Sequence, residues 1–410
     1  MAYSKVKGVR DLYPVEKAVQ EQVFSKMRSV AERYGFLQVE APAIETMGLL
    51  CAKSGEEIKK QIFTLEKRGN EDLGLRFEYT AGLARMFIAR QKSLTKPVKW
   101  FSVGRMWRYE QPQAARQREF YQFNVECIGS GKPESDAEVI NLAIDALENL
   151  GLKGEFIVKI NNRKLLEGLL AGIVPKERVE DVIRVIDKKE KISAKEFEEE
   201  LSFLGKEVVE QIKGLESDLE KIEGYELGSL AGEGLSELKQ VLSLVDGPVQ
   251  FDINTARGLA YYTGTVFEIY DKKQKYRALC GGGRYDSMVE LFGGQSTPAT
   301  GFGMGYSPVL LLLEKKGLLP EIDNRPDYFI ACVSGEERKF ASGIVKRLRS
   351  KGHVVEHDLQ GRNLGNQLKH ANSLSARKLI VIGPDEKKSG FAKVKDMQSG
   401  KESRIEISKL

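Results

Sequence analysis

Two segments of the chain, VKWFSVGRMWRYE and REFYQFNVECIG, carry arginine, carboxylate and amide side chains at alternate positions. Period-two alternation predicts strands, because successive side chains of a strand point to opposite faces. The first strand places Arg108 and Glu110 on one face. The second does the same with Gln122, Asn124 and Glu126. Cations, carboxylates and amides grouped in this way can bind a charged, polar ligand.

A third stretch, LRFEYTAG, adds a similar pattern, and we expect Arg76, Glu78 and Thr80 to share one face of a strand. The loop QPQAARQ and its flank add the basic residues Arg116 and Arg118. A single strand with a polar, solvent-exposed face is ordinary in a protein sheet. Three strands with polar faces beside a basic loop favour a surface that binds a charged ligand.

The segment INTARGLAYYTGTVFEIYD contains Arg257, and arginine is rarely buried without an anionic partner. The cluster CGGGRYD has three consecutive glycines, at 281–283. Because glycine has no side chain, another group can approach the backbone there. A tight turn is the simpler interpretation, but a turn needs only one or two glycines. The strand GFGMG lacks the dinucleotide fingerprint, and a P-loop motif is absent.

The composition excludes several classes of chemistry. All three histidines, His353, His357 and His370, follow residue 352, which excludes a histidine base or a Ser-His-Asp triad before it. The four cysteines lack C-x-x-C spacing, which argues against a cysteine zinc site and fits a reducing cytoplasm. No apolar run approaches the ~20 residues of a membrane helix, and the N-terminal residues lack a signal-peptide core.

The 410 residues predict two or three domains. Helical periodicity predicts a helix over 15–34, which Gly35 ends, and a second helix in SDAEVINLAIDALENLG with Ser135 or Asp136 as N-cap. Residues 160–245 are rich in Lys, Glu and Leu and predict a helical insertion. PEIDNRP is typical of a linker, and the alternating strands and helices beyond it predict a small α/β domain with a parallel core.

This last segment is basic: residues 325–410 hold 18 Lys and Arg against 10 Asp and Glu, whereas the whole chain has a net charge of only +5. A basic module favours nucleic acid as a partner, although many basic surfaces are only solvated.

Taken together, these motifs resemble histidyl-tRNA synthetases of the archaeal type, a class II aminoacyl-tRNA synthetase family. The segment ERYGFLQVEAPAIE resembles motif 1, and GRMWRYEQPQ with RQREFYQFNVE resembles motif 2. RGLAYYTGTVFE and CGGGRYD resemble the two histidine-specific signatures, and the last 85 or so residues resemble the anticodon-binding domain.

The resemblance implies an α+β catalytic domain with an antiparallel sheet flanked by helices, over 1–159 and 246–319. It implies the helical insertion over 160–245 and an α/β anticodon-binding domain over 326–410. The activity implied is ATP-dependent formation of histidyl-adenylate and transfer of histidine to tRNA(His), with Mg²⁺ on the triphosphate. A cytoplasmic homodimer is implied as well, with Pro42 of motif 1 at its interface.

The family's binding residues carry over to matching positions. The residues implied to bind histidine are Glu78, Thr80, Gln122, Glu126, Tyr261, Tyr262, Gly281 and Gly282. Among them, Glu78, Thr80 and Gln122 would hold the amino group, and Glu126 with Tyr262 the imidazole. The residues implied to bind ATP are Arg108, Glu110, Arg116 and Arg257, of which Arg108 and Arg257 are the expected catalytic residues. No protein metal ligand is implied.

The implied chemistry is physically coherent. Attack of a carboxylate on the α-phosphate brings two anions together, and two guanidinium groups offset that repulsion. The attacking carboxylate is already ionised, so the reaction needs no protein base.

The sequence departs from the family pattern at four positions. Ala260 replaces the usual Asp of RGLDYY, and Ala115 and Gln117 differ in the motif 2 loop. Pro308 stands where motif 3 normally has an arginine against adenine. Pro308 and Ala260 favour an alternative, a non-catalytic paralogue that binds histidine or tRNA as a regulator. The retained inward charges favour the enzyme, because a buried charge without function destabilises a fold.

Overall fold

The computed structural model describes residues 3–52, 59–67, 69–112, 116–189, 192–257 and 261–410. The chain divides into two compact units, Met1–Pro320 and Glu321–Leu410. This division falls at the start of the predicted linker, PEIDNRP.

The secondary structure of the first unit is mixed. Its strands are β1 (Leu37–Gln38), β2 (Ile44–Thr46), β3 (Leu73–Leu75), β4 (Val98–Trp107), β5 (Glu119–Ile128), β6 (Phe156–Asn162), β7 (Val249–Phe251), β8 (Thr265–Asp271), β9 (Cys280–Arg284) and β10 (Ala299–Gly305). Its α-helices are α1 (Pro14–Arg33), α2 (Met47–Cys51), α3 (Thr80–Arg90), α4 (Pro133–Asn149), α5 (Arg163–Ala171), α6 (Val179–Ile186), α7 (Ala194–Glu200), α8 (Lys206–Lys213), α9 (Leu219–Glu223), α10 (Ser229–Leu244), α11 (Met288–Leu291) and α12 (Tyr306–Lys316).

Eight of these strands form one sheet in the order β1-β4-β5-β10-β9-β8-β6-β7. The six inner strands run antiparallel to their neighbours, whereas β1 and β7 pair in parallel at the two edges. The helix α4 packs against α1, α10 and strand β10. The predicted antiparallel sheet flanked by helices is therefore confirmed, with a parallel strand added at each edge.

The amphipathic N-terminal helix is confirmed as α1, and Gly35 follows it with a φ of +77°. The predicted N-cap of α4 is wrong. The helix begins at Pro133, with Lys132 as its N-cap, because proline already has the φ that the first helical position needs. The hydroxyl of Ser135 instead donates to the Lys132 carbonyl at 2.7 Å.

The expected strand through LRFEYTAG is also wrong, because β3 ends at Leu75 and α3 begins at Thr80. Arg76 turns inward instead of continuing the strand. Its guanidinium donates to the carbonyl oxygens of Ala41 and Arg105 and lies 4.1 Å from the ring centroid of Tyr79. These long-range contacts end the extended conformation, so Glu78 lies in a loop and Thr80 in a helix.

The segment predicted as a helical insertion contains α5 to α10 and short 3₁₀ turns over 176–178 and 202–204. The helical part starts at Arg163, because residues 160–162 still belong to β6. Two glycines permit the close contact of α5 with α10. A Cβ at Gly168 would lie 2.5 Å from the nitrogen of Ala231, and one at Gly234 would overlap the backbone of Leu165.

The second unit contains β11 (Tyr328–Cys332), β12 (Val355–His357), β13 (Lys378–Ile382), β14 (Phe391–Asp396) and β15 (Glu402–Glu406), with helices α13 (Arg338–Ser350), α14 (Leu364–Ser373) and α15 (Pro384–Ser389). Its sheet order is β12-β11-β13-β14-β15. The strand β11 runs parallel to β12 and β13, as predicted. The antiparallel β14 and β15 were not predicted, and they turn through Gly400, whose φ is +73°. No described helix is long and apolar enough to cross a membrane.

Candidate functional site

A cleft of about 720 Å³ opens on one face of the large sheet, over β5, β10, β9 and β8. Strand pairing explains its shape. Gly281 on β9 pairs with Gly303 on β10 and with Glu268 on β8, so two adjacent central positions have no side chain. Gly281 and Gly303 form the glycine floor of the cleft. Polar side chains flank it on both sides, with Gln122 on β5 and Lys159 on β6. The result is a trough with polar walls.

The cleft brings together six of the residues predicted to bind substrates: Arg108, Glu110, Arg116, Gln122, Arg257 and Gly281. These residues come from β5, β9 and the segments that follow β4 and β7. The sequence separations are large, and only the antiparallel pairing of the inner strands makes them neighbours.

Arg108 lies just beyond the end of β4, where its backbone N–H still donates to the carbonyl of Arg118. Its Nε donates to the carbonyl of Phe77 at 3.1 Å, and its guanidinium carbon lies 5.2 Å from the ring centroid of Phe120. These contacts fix the direction of the side chain. Burial lowers the pKa of Arg108, which Glu110 and Glu78 partly oppose. A partly desolvated guanidinium interacts strongly with an anion.

Arg257 occupies the opposite wall in a left-handed backbone conformation, with a φ of +50°. Its Nη1 donates to Oε1 of Glu268 at 2.6 Å, and its Nε is buried without a hydrogen-bond partner among the described residues. Burial opposes the charged form, but the facing Tyr262 and Glu268 outweigh it and raise the pKa of Arg257 well above its ordinary value. The strained backbone and the spare donor are typical of a binding residue.

Gly281 leaves the space that this guanidinium occupies. A Cβ at Gly281 would overlap Nη1 of Arg257. The glycine cluster thus admits an arginine of the same chain over the floor of the cleft. Gly282 lies on the other face of β9, where a Cβ would lie 2.7 Å from Cβ of Phe302 and 2.9 Å from the ring of Phe267. The structure therefore places Gly282 against the aromatic core under the cleft.

Arg116 and Glu110 form an ion pair at one end of the cleft. Arg277, from the loop between β8 and β9, lines the same end. Burial and the nearby charge of Arg116 lower the pKa of Arg277. Two arginines that line one cleft make its local potential more positive.

Glu126 and Thr80 line a separate small pocket of about 10 Å³ rather than the main cleft. Glu126 is 3% exposed and pairs across β5 and β10 with Gly301. A Cβ at Gly301 would lie 2.5 Å both from Oε2 of Glu126 and from the hydroxyl of Tyr285. The carboxylate and this hydroxyl therefore lie over the same glycine.

Three tyrosine rings pack against one another beside this pocket. The rings of Tyr261 and Tyr262 have centroids 4.6 Å apart, and that of Tyr285 lies 6.0 and 6.2 Å from them. Burial raises the pKa of Tyr261, and the neighbouring Tyr262 and Glu78 raise it further. The charges of Glu78 and Tyr261 oppose the lowering of the Arg108 pKa that burial causes.

Sequence reasoning missed several residues at the site. Lys159 and Asp252 form an ion pair of 2.9 Å in which both side chains are less than a tenth exposed, and both line the cleft. The hydrogen bond from Lys159 holds the pKa of Asp252 below its usual value, although burial opposes this. The signal for Asp252 was its place directly after a strand. The signal for Tyr285 was the glycine signature that contains it.

Of the positions that depart from the family pattern, Gln117 and Pro308 line the main cleft. Pro308 is the third residue of α12, and its Cδ would lie 3.1 Å from a Cβ at Gly305. Ala115 and Ala260 lie outside the described residues.

Comparison with known proteins assigns both units. A family model described as histidyl-tRNA synthetase matches residues 8–309, and one described as anticodon binding domain matches residues 327–410. The histidine–tRNA ligase of Natronomonas pharaonis is 39% identical over 418 residues, which cover 99% of this chain and 96% of the relative. That of Pyrococcus abyssi is 38% identical over 421 residues, which cover 99% and 97%.

A solved structure gives the same result for the fold. The histidyl-tRNA synthetase from Nostoc aligns with a TM-score of 0.81 at 26% sequence identity and covers 99% of this chain and 97% of its own.

Proposed function

Because this chain belongs to the histidyl-tRNA synthetase family and acts as a histidine–tRNA ligase, we propose that the cleft over β5, β10, β9 and β8 is where histidine and ATP react. The observation that carries this proposal is the placement of three arginines, Arg108, Arg116 and Arg257, around one glycine floor. The positive charges of three arginines around an open cleft complement the negative charges of a triphosphate. The family uses histidine, ATP and tRNA.

In the proposed mechanism, Arg108 and Arg257 face each other across the α-phosphate. The carboxylate of histidine attacks phosphorus, a bond forms between them, and pyrophosphate leaves. Both anions are partly neutralised by the two guanidinium groups, which also stabilise the charge that develops in the transition state. The bonds to Phe77 and Glu268 hold both side chains in place before substrate arrives, so little reorganisation is needed.

We assign the imidazole of histidine to the region of Glu126 and Tyr262, with Tyr285 as a further neighbour. Glu126 is buried, so an amino acid without a ring N–H would leave its carboxylate poorly matched. We assign the amino group to Glu78, Thr80 and Gln122.

Arg116, with Glu110 beside it, is assigned to the distal phosphates. Mg²⁺ is proposed to arrive on the triphosphate, because this ion prefers phosphate and water oxygens, and there it assists the departure of pyrophosphate. Among the described residues there is no cluster of three or more His, Cys, Asp or Glu side chains that could hold a metal.

The remaining assignments concern the tRNA and the assembly. The anticodon-binding domain is proposed to contact tRNA phosphates through Arg362, Lys369, Arg377 and Lys378, and residues 163–244 to lie near the acceptor stem. We also propose a homodimer, with Pro42 at its interface, that works in the cytoplasm. The four described cysteines are free, which fits a reducing compartment.

The regulatory alternative is less well supported than the enzyme. Curated relatives that match almost the whole chain are ligases, and the charged residues around the cleft are retained.

Substitution of Arg108 tests the proposed site. Arg108→Ala should lower histidine-dependent ATP–pyrophosphate exchange by about 10²–10³-fold, the usual effect of losing one transition-state donor. The thermal midpoint should change little, because Arg108 contacts one carbonyl and one ring. Exchange at the wild-type rate would refute the role assigned to Arg108.

A further inference from the structure

Arg277 is presented to the cleft by a turn of defined geometry. The turn joins β8 to β9, and Asp271 at its start accepts hydrogen bonds from the backbone N–H groups of Lys273 and Tyr276, at 3.2 and 2.9 Å. Gln274 within it has a φ of +51°. Arg277 directly follows Tyr276 and lines the cleft.

The same wall includes the start of α12, where the expected arginine is missing. The backbone N–H of Gly305 donates to the carbonyl of Leu279 at 2.9 Å, which joins the end of β10 to the residues just before β9. Arg277 lies two positions before Leu279, and Pro308 lies three positions after Gly305. Both residues line the cleft, so Arg277 contributes a guanidinium to a cleft in which Pro308 contributes none.

The charges at this end of the cleft do not balance. Arg116 is paired with Glu110. Arg277, whose pKa is lowered by burial and by Arg116, has no ion pair with a carboxylate among the described residues. Two guanidinium groups therefore share one carboxylate at the mouth of a polar cleft. Arg277 is exposed, and like charges that line a cleft together raise the local concentration of anions.

We propose that Arg277 binds the β- and γ-phosphates of ATP together with Arg116. This inference rests on the proposed function of the cleft. It adds a phosphate-binding residue from the loop between β8 and β9, outside the motifs that identify the family. The simpler interpretation is a solvated loop cation, and Lys273 in the same turn provides the comparison, because it does not line the cleft.

The test is ATP–pyrophosphate exchange with Arg277→Ala, and with Lys273→Ala as the matched control. Pyrophosphate contains the same two phosphates that Arg277 would contact, so KM should rise for ATP and for pyrophosphate alike, by about tenfold or more for a lost charge-assisted hydrogen bond. KM for histidine should stay unchanged. Lys273→Ala should match the wild type in all three constants.

Three results of the exchange assay would overturn the inference. Unchanged constants for Arg277→Ala would show a solvated cation. A rise for ATP alone would place the contact at adenine or ribose, and an equal rise in both variants would show a general effect of charge. Calorimetric titration of each folded protein with magnesium pyrophosphate keeps the inference separate from the proposed function. Absence of exchange in the wild type would refute the proposed function, whereas equal pyrophosphate affinity of wild type and Arg277→Ala would refute the inference alone.

Discussion

The absent side chain of Gly281 and the guanidinium of Arg257 share one volume, because a Cβ at Gly281 would overlap Nη1 of Arg257. The two positions are 24 residues apart in the chain, and each belongs to a different histidine-specific signature. The two signatures therefore act as one unit. The glycine makes room, and the arginine, held by Glu268 at 2.6 Å, fills it and faces the cleft.

Substitution at either position should therefore impair the same step. Arg257→Ala should reduce histidine-dependent ATP–pyrophosphate exchange by about 10²–10³-fold. Gly281→Ala should reduce it in the same direction but less, since the guanidinium is displaced rather than lost. Gly343→Ala is the control, because a Cβ there meets nothing within 4 Å. The exchange rate should be measured for each variant, and circular dichroism of the same samples should show that each variant is folded.

Unchanged exchange in folded Arg257→Ala would remove Arg257 from the mechanism. Full activity of Gly281→Ala would mean that the guanidinium can work from another position.

Recognition of the ring should depend on Glu126. Glu126→Gln keeps the shape of the side chain but removes its charge, so KM for histidine should rise about tenfold or more while KM for ATP stays the same. Glu134→Gln, an exposed carboxylate at the start of α4, serves as the control. A larger effect on ATP than on histidine would contradict the assignment of Glu126 to the imidazole.

Local patterns in the sequence identified much of the cleft. Alternation along β5 correctly placed Gln122, and the rarity of buried arginine singled out Arg257. The same alternation failed in LRFEYTAG, because Arg76 finds its partners in the carbonyls of Ala41 and Arg105, which no local pattern reveals.

The division between the two pockets was beyond sequence reasoning as well. Glu126 and Gln122 share a strand, yet only Gln122 lines the main cleft. The difference arises because Glu126 pairs with Gly301 on β10, under the hydroxyl of Tyr285. Such contacts depend on strand order, and strand order is a property of the whole sheet.

Arg284 is expected to support the fold rather than the chemistry. Its guanidinium donates to Asp136 and Asp286 at 3.0 Å and to the hydroxyl of Ser135 at 2.9 Å. Arg284→Ala would leave Asp136 buried without its partner, so the free energy of unfolding should fall by about 3–5 kcal/mol. Urea denaturation would measure this. Arg90→Ala, at an exposed position, should change stability by less than about 0.5 kcal/mol, and an equally mild effect of Arg284→Ala would contradict the prediction.

The cysteines should differ in reactivity, because the thiolate is the reactive form. Burial raises the pKa of Cys127 to about 11 and also raises the pKa of Cys280 and Cys332. Cys51 is only half-buried. At pH 8 a thiol reagent should label Cys51 first in the native protein and all four thiols after denaturation. Cys51→Ser should abolish the fast phase, and rapid native labelling of Cys127 would contradict its burial.

The two units should contribute to different steps. Removal of residues 321–410 should weaken aminoacylation of tRNA(His) by about 10²-fold or more, because two linked binding modules gain affinity over either alone. Exchange should stay within a few-fold of the wild type, since every residue that lines the cleft belongs to the first unit. Equal loss of both activities would argue against a separable anticodon module.

The most direct test of the account is ATP–pyrophosphate exchange by the wild-type protein with each of the twenty amino acids in turn. The arrangement of Arg108, Arg257 and Glu126 predicts exchange with histidine and with no other amino acid, despite proline at position 308. Absence of exchange with every amino acid, from a folded protein that binds histidine or tRNA, would contradict the proposed chemistry of the cleft.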